Sequence, residues 1–181
     1  MSREIYLRAF EFEDLDFING LRNSNEFFDL TCGNKYFISS EYNRKWIENK
    51  ISNNHDQLYL MISTIDGNQR IGYHGVSDID YINRKAQLNS IVIDSKFSSK
   101  GYGFQSSILI LNHLFYELGM NMIYLYIRTD QLASLKISEK LGFQNSGLLR
   151  SFVYKQNKFH DAYLLSVLKE DYDKISAPSQ E

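Results

Sequence analysis

From Leu88 to Ile93 the chain is apolar and β-branched, the pattern of a buried strand. Ser98, Ser99, Gly101 and Gly103 follow, and glycine opens backbone angles closed to other residues, so a tight loop is predicted there. Between Tyr102 and Leu118 the apolar positions Phe104, Ile108, Leu111, Phe115 and Leu118 recur every three or four residues. That spacing predicts one face of a helix, which Gly119 ends. Met122 to Ile127 predicts a second strand, and Leu132 to Leu141 a second helix that stops at Gly142. Strand, helix and strand in that order form a crossover unit. A gap between its two strands would admit a ligand.

The flanking chain is patterned as regularly. Glu4 to Phe10 alternates like a strand, and the acids Glu11, Glu13 and Asp14 open a helix running to about Arg22, with Leu15, Ile18 and Leu21 on one face. Asn23-Ser24-Asn25 is a turn cluster, and Glu26 to Phe37 is aromatic without a period, so it is expected to be irregular. Ser39 or Ser40 caps a helix through Ile51, with Trp46 on its buried side. Leu58 to Ile65, the turn Asp66-Gly67-Asn68, Arg70 to Asp78, the turn Tyr81 to Arg84 and Ala86 to Ile93 make an antiparallel meander. Leu149 to Tyr154 and Asp161 to Leu168 form a last hairpin around Lys155-Gln156-Asn157-Lys158, whose edge is expected to be solvated. Residues 1–173 are expected to fold as a single domain. Residues 174–181, which hold the only proline, Pro178, are expected to fray.

Composition narrows the function. With 181 residues, 43% of them hydrophobic, the chain can bury a real core, and a net charge of −2 argues against a general nucleic-acid binder. A lone cysteine, Cys32, allows no internal disulfide and fits a reducing cytoplasm. Met1 to Asp16 is charged throughout, unlike a secretory leader, and no apolar run approaches the roughly 20 residues that cross a membrane. His55, His74, His113 and His160 lack metal-ligand spacing, so no metal is expected.

A glycine loop that opens a helix presents backbone N–H groups and the positive end of the helix dipole, which together bind phosphate. This loop has neither the Lys-Ser/Thr ending of a nucleotide P-loop nor the third glycine of the dinucleotide fingerprint. Lys100-Gly101-Tyr102-Gly103, then Gln131-Leu132-Ala133-Ser134, then Glu139-Lys140-Leu141-Gly142-Phe143 resemble the acetyl-coenzyme A core of the GNAT superfamily of N-acetyltransferases. Leu7-Arg8 and Ile71-Gly72 upstream, with Gly147, Arg150, Asn157 and Asp161 downstream, resemble the branch that acetylates ribosomal protein N-termini. The spermidine acetyltransferases are similar over the same region.

The resemblance implies an α+β fold, a three-layer α/β/α sandwich. Its sheet is mixed and mostly antiparallel, with a splayed strand pair holding the cofactor. It puts the pyrophosphate of acetyl-CoA on the backbone of Ser98, Ser99, Lys100, Gly101, Tyr102, Gly103 and Phe104. It lays the pantetheine arm along Ile91, Val92 and Ile93 like an added strand, with the oxyanion donor a backbone amide there. Gln131 and Ser134 face the cofactor from the other side. The chain departs from the family pattern at several positions: Ser98 replaces a longer polar residue, Gln131 replaces asparagine, and Ser138 stands where many relatives carry a tyrosine acid. A serine hydroxyl is a far weaker acid than a phenol but can still donate a hydrogen bond to a thiolate. The resemblance implies a small residue here in the ribosomal branch and a tyrosine in the polyamine enzymes, so Ser138 weakens the polyamine reading. Where relatives often have a glutamate, Gln87 offers no carboxylate. His74 has a suitable unperturbed pKa for the base, with a structural role the stronger reading of it and bulk water through a chain the other route for the proton; Asp78 and Asp80 lie near the end of its strand.

The function implied is direct transfer of an acetyl group from acetyl-CoA to a primary amine, either a protein N-terminus or a small molecule. The protein would be a monomer or homodimer, with no nucleic-acid or membrane partner. A catalytically weak coenzyme A-binding sensor or interaction module is the alternative, supported by Ser138, Gln87 and Ser98. Amino-sugar and polyamine acetylation, or use of another acyl-coenzyme A, remain open. Phe27, Phe28, Tyr36 and Phe37 are candidates for an acceptor pocket, with plain packing the stronger reading of each.

Overall fold

A computed structural model describes residues 4–32, 37–53 and 55–176. Seven strands form one sheet among the described residues: β1 (Ile5–Ala9), β2 (Leu58–Thr64), β3 (Arg70–Asp80), β4 (Lys85–Ile93), β5 (Met122–Arg128), β6 (Gln144–Lys155) and β7 (Lys158–Leu168), in the order β1-β2-β3-β4-β5-β7-β6. All neighbours are antiparallel except β4 and β5, which run parallel. The helices are α1 (Leu15–Arg22), α2 (Asn25–Leu30), α3 (Ser40–Ser52), α4 (Tyr102–Asn112), α5 (Leu132–Lys140) and α6 (Lys169–Ser176).

Alternation along the strands sends side chains to two apolar layers. On one face Tyr73, Met61 and Val92 pack with Ile18 and Leu21 of α1 and Ile47 of α3. Phe10, Trp46, Tyr59 and Tyr73 interlock at this layer, with ring centroids 5.2 to 6.2 Å apart. On the other face Val76, Leu88, Ile123 and Leu125 pack with Ile110 and Leu111 of α4 and Tyr172 of α6. The sandwich of helices, sheet and helices expected from the sequence is the observed fold.

Asp14 ties the first face together. Its fully buried carboxylate accepts from Arg8 Nη1 and Nη2 at 2.8 and 2.7 Å, from Arg70 Nε at 2.6 Å and from the Glu11 amide at 2.9 Å. Burial opposes the charge, but these donors outweigh it and hold the carboxyl below the usual range.

Several elements differ from expectation. Residues 26–30, expected to be irregular, lie in α2, which Ser24 caps by accepting the Phe27 amide at 3.0 Å. The long helix stays α-helical only to Asn112 and continues as a π-helical turn from His113 to Glu117. Residues 174–176, expected to fray, belong to α6, which the buried Tyr172 anchors through a 2.9 Å bond from its hydroxyl to Asn112 Oδ1. Pro178 and Tyr36 lie outside the described residues. No described helix is long and apolar enough to cross a membrane.

Candidate active site

Between β4 and β5 the sheet opens. They pair only at Lys85–Met122, Ala86–Ile123 and Gln87–Tyr124, and beyond that row they separate. The outer half of β4 still pairs with β3, and its register fixes which amides face the gap. The Asp94 amide donates to the Ile71 carbonyl at 2.8 Å, and Ile93, Val92, Ile91 and Ser90 continue opposite Gly72, Tyr73, His74 and Gly75. Antiparallel residues alternate between bonding their partner and facing away. Val92 and Ser90 therefore bond to β3, while the N–H and C=O groups of Ile91 and Ile93 point into the gap. Val92 contributes an apolar surface instead and is nearly fully buried. Gly72 lets the two strands close tightly here, since a Cβ at that position would lie 2.0 Å from the Val92 carbonyl oxygen.

At its end β4 runs into the glycine loop. Asp94 accepts the Lys96 amide at 3.0 Å and shapes a turn of 3-10 helix, Ser95–Phe97. The Ser98 amide is committed inside that turn, donating to the Ser95 carbonyl at 3.1 Å. Ser99 and Gly101 then take left-handed backbone angles, with φ of +62° and +79°. This fold-back aims successive amides at one concavity, an arrangement that suits an anion. Gly101 is the N-cap of α4 and supplies no capping side chain, so the first-turn amides of Tyr102, Gly103 and Phe104 keep their capacity to donate outward. A Cβ on Gly103 would meet nothing within 4 Å, which leaves open space beside these amides. Lys100 is exposed at the rim.

Gln131, Ser134 and Ser138 share one face of the α5 region at spacings of three and four. Ser138 is only 4% exposed. Gln131 Nε2 donates to the Asp29 carbonyl at 3.3 Å, and the Lys155 ammonium donates to the Phe28 carbonyl while lying 4.1 Å from the Phe28 ring centroid. The last turn of α2 is thus pinned to α5 and to the end of β6. Burial, reinforced by Arg128, lowers the Lys155 pKa, opposed by Cys32 and Asp29.

Between α1, α2 and the outer end of β4 lies a cavity of about 380 Å³, lined in part by Asp16, Glu26, Phe27, Val92 and Asp94. Phe27 is the aromatic candidate that reaches it; Phe28 is half-buried against Lys155, and Phe37 is fully exposed. Cys32 is an exposed free thiol whose pKa is pushed up by desolvation, which disfavours the nucleophilic thiolate.

His74 is placed against the base role expected of it. Its ring is fully buried in the sheet on the α4 side, opposite Leu60 and Ile91. Neither ring nitrogen has a hydrogen-bond partner among the described residues, and burial lowers its pKa to about 3. A ring closed off from solvent has no route to a substrate amine. Among the described residues no group of three His, Cys, Asp or Glu side chains is arranged to hold a metal ion.

An open strand edge that runs into an uncapped helix N-terminus is the pattern the sequence resemblance implied, and the family comparison agrees with it. Residues 4–144 match the model of the acetyltransferase (GNAT) domain. The chain belongs to the GNAT acetyltransferase family. Among curated relatives of this GNAT chain, spermidine N(1)-acetyltransferase of Vibrio cholerae is 24% identical over 172 residues, covering 95% of this chain and 97% of that protein. YdaF of Bacillus subtilis, named as a candidate ribosomal N-acetyltransferase, is 26% identical over 102 residues, 56% of this chain and 55% of its own length. The ribosomal branch is therefore one of several that this chain resembles. A crystal structure of the Vibrio cholerae spermidine enzyme with CoA and spermine superposes with a TM-score of 0.87 at 22% identity, covering 93% of this chain and 98% of that one. At that identity the superposition shows a shared fold.

Proposed function

We propose that this GNAT protein transfers the acetyl group of acetyl-CoA directly to a small, positively charged primary amine. The observation that carries the reading is the outward-facing backbone of Ile91 and Ile93, which leads into the amides of Ser99 to Phe104. An amide-bearing chain such as pantetheine adds to that edge like a strand, and a diphosphate at its end meets the helix N-terminus. The outward N–H of Ile91 or Ile93 polarises the thioester carbonyl, and Gln131 and Ser134 complete the cofactor wall. Ser138, one turn beyond Ser134, donates to the departing thiolate. Desolvation disfavours the Cys32 thiolate, so no acyl-enzyme is expected on it. A lone free thiol also fits a reducing cytoplasm.

The acceptor class follows from the cavity beside β4. Asp16, Glu26 and Asp94 bring three carboxylates to its wall against one cation, Lys96, and this acidic balance favours a cationic amine over a neutral or acidic one. That a relative spanning nearly the whole chain is named for spermidine supports the same class. The test is thiol release from acetyl-CoA with spermidine, glucosamine and peptides beginning with alanine or serine. Spermidine is expected to give the highest kcat/KM, with Asp16→Asn and Glu26→Gln together lowering it. Preference for a peptide would contradict this acceptor and favour the ribosomal branch.

A further inference from the structure

We propose that Asp78 is the proton acceptor for the substrate amine, held in place by the hydroxyl of Tyr124. Gln87 and Tyr124 form the last paired row before β4 and β5 part, so the foot of the cleft lies at their side chains. Gln87 carries no carboxylate there. In the sheet register Ser77 faces Gln87 and Asp80 faces Lys85, so Asp78 and Ile79 sit as two residues opposite the single Ala86. This is a β-bulge, a feature that re-aims a side chain and is common beside active sites.

The bulge has a conformational cost. Asp78 takes a φ of +51°, left-handed backbone that an L-residue within a strand avoids. The result is an exposed carboxylate on the Gln87 side of the sheet. Tyr124 reaches across β4 to donate its hydroxyl to Asp78 Oδ2 at 3.3 Å. The Tyr124 phenol is itself kept protonated, its pKa raised to about 12 by burial first and then by Asp78 and Tyr126. It can orient the carboxylate without competing for its proton. The other Asp78 oxygen accepts no hydrogen bond among the described residues and is open to water. Titratable residues near the bulge include Tyr124 and Tyr126 on β5, Asp80 and Lys85 at the neighbouring turn, and Asp56, whose carbonyl accepts the Ile79 amide.

The chemistry balances. The bound alkylammonium gives one proton through water to Asp78. The free amine forms the C–N bond at the thioester carbonyl, and the C–S bond breaks. The nitrogen's second proton passes to the leaving sulfur, so the products are the acetamide and free thiol. Asp78 then returns its proton to solvent.

The test compares Asp78→Asn, Tyr124→Phe and the double variant Asp78→Asn/Gln87→Glu with the unmodified protein. The assay uses whichever amine of the acceptor panel turns over fastest, so an error in the acceptor class leaves this test intact. Binding of acetyl-CoA by the unmodified protein is measured first, because its absence would sink the transfer reading rather than this one. Asp78→Asn is expected to lower kcat about 100-fold and to leave the acetyl-CoA Kd unchanged. The Gln87→Glu exchange is expected to restore at least about tenfold of the loss by placing a carboxylate on the adjacent strand. Asp78→Asn with kcat within about twofold of the unmodified protein would overturn the proposal. Should Asp78→Asn also lose acetyl-CoA binding, Tyr124→Phe decides: a lowered kcat with cofactor binding retained supports the proposal, and an unchanged kcat overturns it.

Discussion

Gln87 and Tyr124 form the last row that β4 and β5 share, and the cleft begins where their pairing ends. Above them one strand stays bonded to β3 and the other to β7. The cleft is therefore backbone architecture, held open by neighbours on both sides and independent of any one side chain.

Gly72 is where that architecture tolerates least change. A methyl group there would lie 2.0 Å from the Val92 carbonyl oxygen and 3.0 Å from the Ile93 Cα, both backbone atoms that cannot rotate away. Gly72→Ala is expected to destabilise the fold by about 3 kcal/mol in urea unfolding. It should also weaken acetyl-CoA binding, because it displaces the strand that presents Ile91 and Ile93.

His74 makes the opposite prediction. Its folded-state pKa, about 3, lies far below the value of about 6.5 for an unfolded histidine. Between these values the unfolded chain binds a proton that the folded one refuses, so folding stability falls as the pH drops. The contribution approaches about 1.4 kcal/mol per pH unit across that window and vanishes above it. His74→Leu removes two buried nitrogens that lack partners among the described residues. It is expected to flatten the acid side of the stability curve while leaving kcat unchanged. A large loss of kcat would return His74 to the list of candidate bases.

Lys155 fastens the last turn of α2 from a distance. Its ammonium holds the Phe28 carbonyl near the end of α2, where a cation favours the helix dipole. Lys155→Met keeps much of the apolar stem and removes the donor. The expected result is a rise of about tenfold in the acceptor KM, about 1.4 kcal/mol of lost binding, with the acetyl-CoA Kd unchanged. A parallel loss of cofactor affinity would show that α2 supports both sides of the cleft.

What the sequence disclosed was local. The meander β2-β3-β4 was legible from alternation and turn residues, and the glycine loop from its spacing, because each is set by neighbours a few positions apart. α2 was not legible: its six residues carry no full helical period, and its end is held by Gln131 and Lys155, far along the chain. α6 is mostly polar, and only packing shows that Tyr172 anchors it. The strain at Asp78 had no sequence signal, since nothing in the run Val76 to Asp80 announces a bulge. The displacement of His74 into the core had a weak one. Gly72, His74 and Val76 alternate on a central strand, a pattern that fits burial as well as chemistry.

The most direct test of the account is calorimetric titration of acetyl-CoA into the protein and into Gly103→Trp. The space beside Gly103 is open, so the indole fits without disturbing the helix and fills the place where a diphosphate would meet the first-turn amides. The account predicts binding to the unmodified protein and its loss in a variant that unfolds at the same urea concentration. Equal binding by both would contradict the placement of the cofactor on the glycine loop, and with it the direction in which the acetyl group enters the cleft.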